Sequence, residues 1–153
     1  MIRVLFVCLG NICRSPMAEA VFEYKVKNEG LSEFVQADSA GTGPWHVGKP
    51  PHTGTLQILK ARGIPWKHKA RMMREADLNS FDYIVPMDEE NLKEIQALPQ
   101  GSAVLTKLMA YAPHLGVADV PDPYYTGRFN EVYLLVEEAT RGLLESIKQK
   151  HNL

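Results

Sequence analysis

Cysteine is scarce in this sequence. Two occur among 153 residues, Cys8 and Cys13, and none follows them. A disulfide scaffold and a cysteine-rich metal site are thereby excluded. The five histidines are scattered and form no metal-ligand spacing with the cysteines, so neither a metal nor a cofactor is expected. Excess charge is also lacking: 17 basic residues face 18 acidic ones, a net charge of −1. Nothing here marks a nucleic-acid binder. The apolar start, Ile2 to Leu9, falls far short of the roughly 20 residues a membrane span needs. It also runs directly into Asn11, Arg14 and Pro16, unlike a secretion leader. No membrane insertion is expected, and the cytoplasm is the default location, where a reducing environment keeps both cysteines as thiols. Repeats, low-complexity stretches and linkers are missing as well. The chain reads as one domain over residues 1–153, expected as a monomer and long enough to bury about 68–70% of its unfolded surface.

What is there is organised around Val7-Cys8-Leu9-Gly10-Asn11-Ile12-Cys13-Arg14-Ser15-Pro16. An apolar run precedes this stretch and a helical pattern follows it, which places it at a strand-to-helix turn. Five residues separate Cys8 from Arg14. A loop of that length can curl into a cup in which the backbone of Leu9, Gly10, Asn11, Ile12, Cys13 and Ser15 points N–H groups at an oxyanion. The following helix aims its positive end at the same point. Gly10 and Asn11 are read as the positions that tolerate positive φ. Cysteine thiols, ordinarily titrating near 8.5, fall to roughly 3.5–7.5 at a helix N-terminus or beside a cation, so a nucleophilic thiolate is expected at Cys8. Arg14 offers a planar fork that suits two phosphate oxygens. Ser15 can donate to the thiolate, and Asn11 reads as a brace. A tight turn with a structural cysteine gives the same spacing. A nucleotide P-loop does not, because the Gly-Lys-Ser/Thr ending is missing.

Strands are expected over Ile2 to Val7, Phe34 to Ala37, Phe81 to Val85 and Ala103 to Leu105. Helices are expected from Ser15 as N-cap to before Gly30, over Thr53 to Arg62, after Asp88 as cap, and from about Phe129. The first helix should bury Met17, Ala20, Val21 and Tyr24, and the last Val132, Leu135, Val136, Ala139, Leu143 and Ile147. Ser39 to Pro44 and Tyr111 to Arg128 read as loops. This alternation implies a parallel α/β sheet, with ligands at the C-terminal ends of its strands.

In the second loop, Pro121-Asp122-Pro123 holds a carboxylic acid on a stiff backbone. That is either a turn or a placed general acid. Trp45, Tyr124 and Tyr125 are either ordinary exposed aromatics or the walls of a slot for a phenyl ring. Lys67, Lys69, Arg71 and Arg74 form a solvated basic face or a dock for an acidic partner. Cys13 either packs or protects Cys8 by forming a disulfide with it on oxidation.

The run from Phe6 to Glu19 resembles the signature loop of the low-molecular-weight protein tyrosine phosphatases, and Asp122-Pro123-Tyr124-Tyr125 resembles that family's second hallmark. Asp38 to Thr42, Trp45 to Gly48, His68 to Arg71, Phe81 to Ile84 and Met87-Asp88 match as well, so the resemblance covers the chain in order. It implies a four-stranded parallel sheet with helices on both faces. It implies hydrolysis of phosphotyrosine through a phosphocysteine on Cys8, with Arg14 binding phosphate and Asp122 as general acid and base. Ser39, His68, Asn11 and Glu19 would form a network supporting the loop. Protein substrates carrying phosphotyrosine are the implied partners, together with a tyrosine kinase acting on Tyr124 and Tyr125. Pro50-Pro51-His52-Thr53-Gly54-Thr55 departs from the family's commoner pattern. An arsenate reductase of the same fold would need cysteines beyond Cys13. A phosphate-binding module would need neither the Cys8 thiol nor Asp122.

Overall fold

A computed structural model describes residues 1–153 as a four-stranded parallel sheet in the order β2-β1-β3-β4. The strands are β1 (Ile2–Cys8), β2 (Val35–Gly41), β3 (Tyr83–Pro86) and β4 (Val104–Leu105). Val4, Leu5, Phe6 and Val7 are fully buried, as expected of a central strand covered on both faces. Side chains alternate across the sheet. Val4, Phe6 and Cys8 join one core with α1 (Arg14–Asn28) and α6 (Phe129–His151). Leu5 and Val7 join a smaller core on the other face with Leu78, Ile84 and Ile95. That face is covered by the short α3 (Asp77–Ser80) and by α4 (Glu89–Gln96). α2 (Thr53–Ala61) packs against α1 and α6. No helix is long and apolar enough to cross a membrane.

Several local expectations change. Ser15 is not the cap of α1. The helix begins at Arg14 behind Cys13, and the Ser15 hydroxyl points to Cys8 instead. β2 runs on through Ser39, Ala40 and Gly41, which pair with Phe6, Val7 and Cys8. These small residues carry no strand propensity, and the pairing overrides that. Phe34 stands outside the strand, half exposed. Tyr24 lies on the exposed side of α1. α3 gave no periodic signal at four residues. The stretch from Tyr111 to Arg128 is not a plain loop. Single 3₁₀ turns cover Leu108–Tyr111 and Pro113–Leu115, and α5 (Pro123–Thr126) follows Asp122. Asp88 does cap α4, accepting from the Asn91 N–H at 2.8 Å.

β1 lies between β2 and β3, so the chain leaves its C-terminal end where the crossovers diverge. A crevice opens at such a point. Cys8 is the last residue of β1.

Candidate active site

The loop from Leu9 to Cys13 curls over the end of β1. Asn11 takes the positive φ, 57°, and its N–H then points back to the Cys8 Sγ at 3.3 Å. Gly10 does not have positive φ. It is glycine for space, since a Cβ there would stand 2.8 Å from the His46 ring. The N–H groups of Leu9, Gly10, Ile12, Cys13, Arg14 and Ser15 donate to no protein acceptor. They are oriented from behind: the Cys8 and Leu9 carbonyls accept from Thr42 and Gly43, each at 2.9 Å. A peptide plane opposes C=O and N–H, so a carbonyl held outward turns the next N–H inward.

Behind the sulfur lies a directed chain of hydrogen bonds. Asn11 Nδ2 donates to Ser15 Oγ at 2.8 Å and to Ser39 Oγ at 3.0 Å. The Ser15 hydroxyl proton is thereby left for Cys8 Sγ at 3.0 Å, in preference to the Ala40 carbonyl at 3.5 Å. Asn11 Oδ1 accepts from the Arg71 N–H at 3.0 Å and lies 2.9 Å from His68 Nε2, which must therefore carry hydrogen. Ser39 donates to Glu19 at 2.6 Å, and Glu19 faces His68 Nδ1 at 3.4 Å. Burial pushes the Glu19 carboxyl up to about 8, against the pull of the Ser39 hydroxyl. Burial also lowers His68, so both are neutral at pH 7. Ligand atoms of Glu19, Asp38 and His68 lie within 4.8 Å of one another. Asp38 is taken up by the Ser39 N–H at 2.8 Å and by Arg71 at 3.2 Å, so hydrogen bonds account for this grouping without a cation.

Arg14 is buried and held by elements remote in sequence. Its Nη1 donates to Asp88 at 2.6 Å and to the Val120 carbonyl at 3.0 Å, and its Nη2 lies 3.4 Å from Asp122. Its Nε has no protein partner. Burial works against its charge, but the Cys8 sulfur and the two carboxylates outweigh this and raise it above its ordinary value. Cys13 is the opposite case. Burial first, then the Cys8 and Asp122 charges, push its thiol up to about 12. Cys13 therefore stays protonated at neutral pH.

Asp122 caps α5, accepting from the Tyr124 N–H at 3.1 Å. Cys8, Arg14 and Asp122 share one cleft of about 460 Å³. Its walls are Trp45, His46, Tyr124 and Tyr125, the outer two being 65% and 76% exposed. Tyr124 stands edge-on to Tyr125 at 5.3 Å and tilted to His46 at 5.8 Å. An apolar slot with an anion cup at its floor admits a flat aromatic phosphate ester.

The structure places Cys8, Arg14, Trp45, Asp122, Tyr124 and Tyr125 on this cleft and Asn11, Ser15, Glu19, Ser39 and His68 in the network behind it, whereas Lys67, Lys69 and Arg74 belong to neither. Three contributors were missed. Asp88 shows in the sequence as a cap and within a stretch that matches the family, and its tie to Arg14, 74 residues away, gives no signal there. His46 shows only within the Trp45-to-Gly48 match, with no role of its own. In the sequence Arg71 belongs to a basic stretch that fits a solvated face or a dock for an acidic partner. Its side chain instead bridges Asp38 and the buried Asp77, while its backbone braces Asn11.

Residues 3–153 match the family model described as low molecular weight phosphotyrosine protein phosphatase. The chain is 47% identical over 156 residues to the low molecular weight protein-tyrosine-phosphatase YfkJ of Bacillus subtilis, covering 100% of each chain. It is 48% identical over 151 residues to the low molecular weight phosphotyrosine protein phosphatase of Schizosaccharomyces pombe, covering 95% of this chain and 97% of that one. The crystal structure of the Bacillus protein superposes with a TM-score of 0.95 at 48% identity, covering 98% of this chain and 96% of that one.

Proposed function

The chain belongs to the low molecular weight phosphotyrosine protein phosphatase family, and from that premise we propose that residues 1–153 act as one phosphatase domain hydrolysing phosphotyrosine and aryl phosphate monoesters through a phosphocysteine on Cys8. The observation that carries this reading is the convergence of Cys8, Arg14 and Asp122 on one aromatic-walled cleft.

The aryl ring stacks between Trp45 and Tyr124, which sets the phosphorus at the floor of the slot. Loop N–H groups and Arg14 hold the phosphoryl oxygens, so the charge of the transition state meets donors already in place. Cys8 Sγ attacks phosphorus as the ester P–O bond breaks. Asp122 gives its proton to the departing aryloxide, a contribution of about 10²–10⁴-fold. The carboxylate so formed takes a proton from water. The resulting oxygen nucleophile attacks the phosphocysteine, phosphate leaves, and sulfur recovers its electron pair. The Ser15 hydroxyl stabilises that returning charge. Phosphotyrosine reaches the floor where the shorter phosphoserine does not. Phosphotyrosine proteins are the substrate class, with the cytoplasm as the compartment that keeps both thiols reduced. The exposed Tyr124 and Tyr125 are candidates for a tyrosine kinase.

Release of phosphate from an aryl phosphate in the presence of EDTA tests this reading. Wild type should turn over, Cys8→Ser should be inactive and Asp122→Ala strongly slowed. A reduced but inactive wild type would leave only phosphate binding.

A further inference from the structure

The stretch that departs from the family's commoner pattern, Pro50 to Thr55, lies directly behind the loop. The His52 N–H donates to the Ile12 carbonyl at 2.7 Å. The Thr55 hydroxyl, fully buried in the first turn of α2, donates to the Cys13 carbonyl at 3.0 Å. His52 Nδ1 caps α2 by accepting from the Gly54 N–H at 3.0 Å, and its ring stacks on Phe129 at 5.0 Å. Gly54 makes room for that ring, since a Cβ there would come within 2.6 Å of Phe129. The start of α2 is thus wedged between α6 and the loop.

Four carbonyls of the loop are therefore held outward: Cys8 by Thr42, Leu9 by Gly43, Ile12 by His52 and Cys13 by Thr55. In each case the opposed N–H, on Leu9, Gly10, Cys13 or Arg14, turns toward the cup. Three of the four outer donors are backbone groups. The fourth is a side chain, and it governs the peptide that opens α1, where the helix end contributes most to an anion.

We propose that Thr55 is a positioning residue for phosphate binding: its hydroxyl holds the Cys13 carbonyl outward and so aims the Arg14 N–H at the phosphoryl group. Thr55 does not touch the substrate and acts only through that peptide plane. The Thr55 hydroxyl bonds to a residue 42 positions away rather than within its own helix, so it is not an ordinary helical threonine. The inference rests on the cup being the phosphate site.

The test is competitive inhibition of aryl phosphate hydrolysis by inorganic phosphate. Thr55→Val keeps the shape and removes the donor, and should raise the inhibition constant roughly tenfold, the effect of one mis-aimed charge-assisted hydrogen bond. Thr55→Ser keeps the donor and should recover most of that loss. If valine prevents folding, Thr55→Ala makes the same comparison with serine. Leu59→Ala, a core change on the same helix, should lower the melting temperature while leaving the inhibition constant within about twofold, which separates aiming from general loosening. An inhibition constant for Thr55→Val within about twofold of wild type would overturn the proposal, as would serine performing no better than valine. A wild type indifferent to phosphate would instead remove the reading on which this one depends.

Discussion

At the scale of single residues, the site separates two cysteines that are near neighbours in sequence. Cys8 receives hydrogen bonds from Asn11 N–H and Ser15 and shares its surroundings with Arg14. Cys13 is buried without such partners and keeps its proton. Peroxide should therefore oxidise Cys8 first, to a sulfenic acid. Cys13 lies in the same loop, so its thiol should then attack that sulfur, forming a Cys8–Cys13 disulfide and expelling water. Titration of peroxide-treated protein should show both thiols lost together and activity restored by a dithiol reductant. Inactivation with the Cys13 thiol intact would contradict this. Asp122 invites a second test. If it protonates the leaving group, Asp122→Asn should lower kcat by about 10²–10⁴-fold for esters of basic phenols and far less for esters of acidic ones. An equal loss across a series of aryl phosphates would place Asp122 outside proton transfer.

At the scale of elements, the cup is an agreement among pieces distant in the chain. β1 supplies Cys8, α1 the helix end, α2 and the segment after β2 the outer donors, the cap of α4 the Asp88 carboxylate that holds Arg14, and the cap of α5 Asp122. Gly41, at the end of β2, shows how close the pieces come. A Cβ there would stand 2.8 Å from the Leu9 carbonyl and 3.2 Å from the Asn11 N–H. Gly41→Ala should cost about 1–3 kcal/mol of stability and raise KM more than it lowers kcat, measured by denaturant unfolding and steady-state kinetics. The same geometry explains what the sequence could and could not reveal. Cys8, Arg14 and Asn11 were legible because one short segment carries both their spacing and their chemistry. The prolines around Asp122 fit a turn as well as a placed acid, and it was the resemblance to the family that singled the residue out. Asp88, Arg71 and Thr55 were not legible, because each contributes through a hydrogen bond 42 to 74 residues away. Ser39 to Gly41 read as a loop because their strand character comes from pairing with β1 and not from their side chains.

At the scale of the whole molecule, the buried network behind Cys8 ties stability to pH. Unfolded, the Glu19 carboxyl titrates near 4.5 and His68 near 6.5. Folded, Glu19 keeps its proton up to about 8, while His68 releases its own below 6.5. From pH 6.5 to about 8 the folded state holds one more, so stability falls as pH rises through that window. Glu19→Gln removes the term, so the melting temperature should no longer decline between pH 6.5 and 8. A decline of unchanged slope would show that the proton is held elsewhere. The most direct test of the account as a whole is the covalent intermediate. Asp122→Asn protein, quenched during turnover of an aryl phosphate ester of an acidic phenol, should yield by peptide mass spectrometry a phosphoryl group on Cys8 and on no other residue. Turnover that proceeds with Cys8 never phosphorylated, or a phosphoryl group found on another side chain, would contradict it.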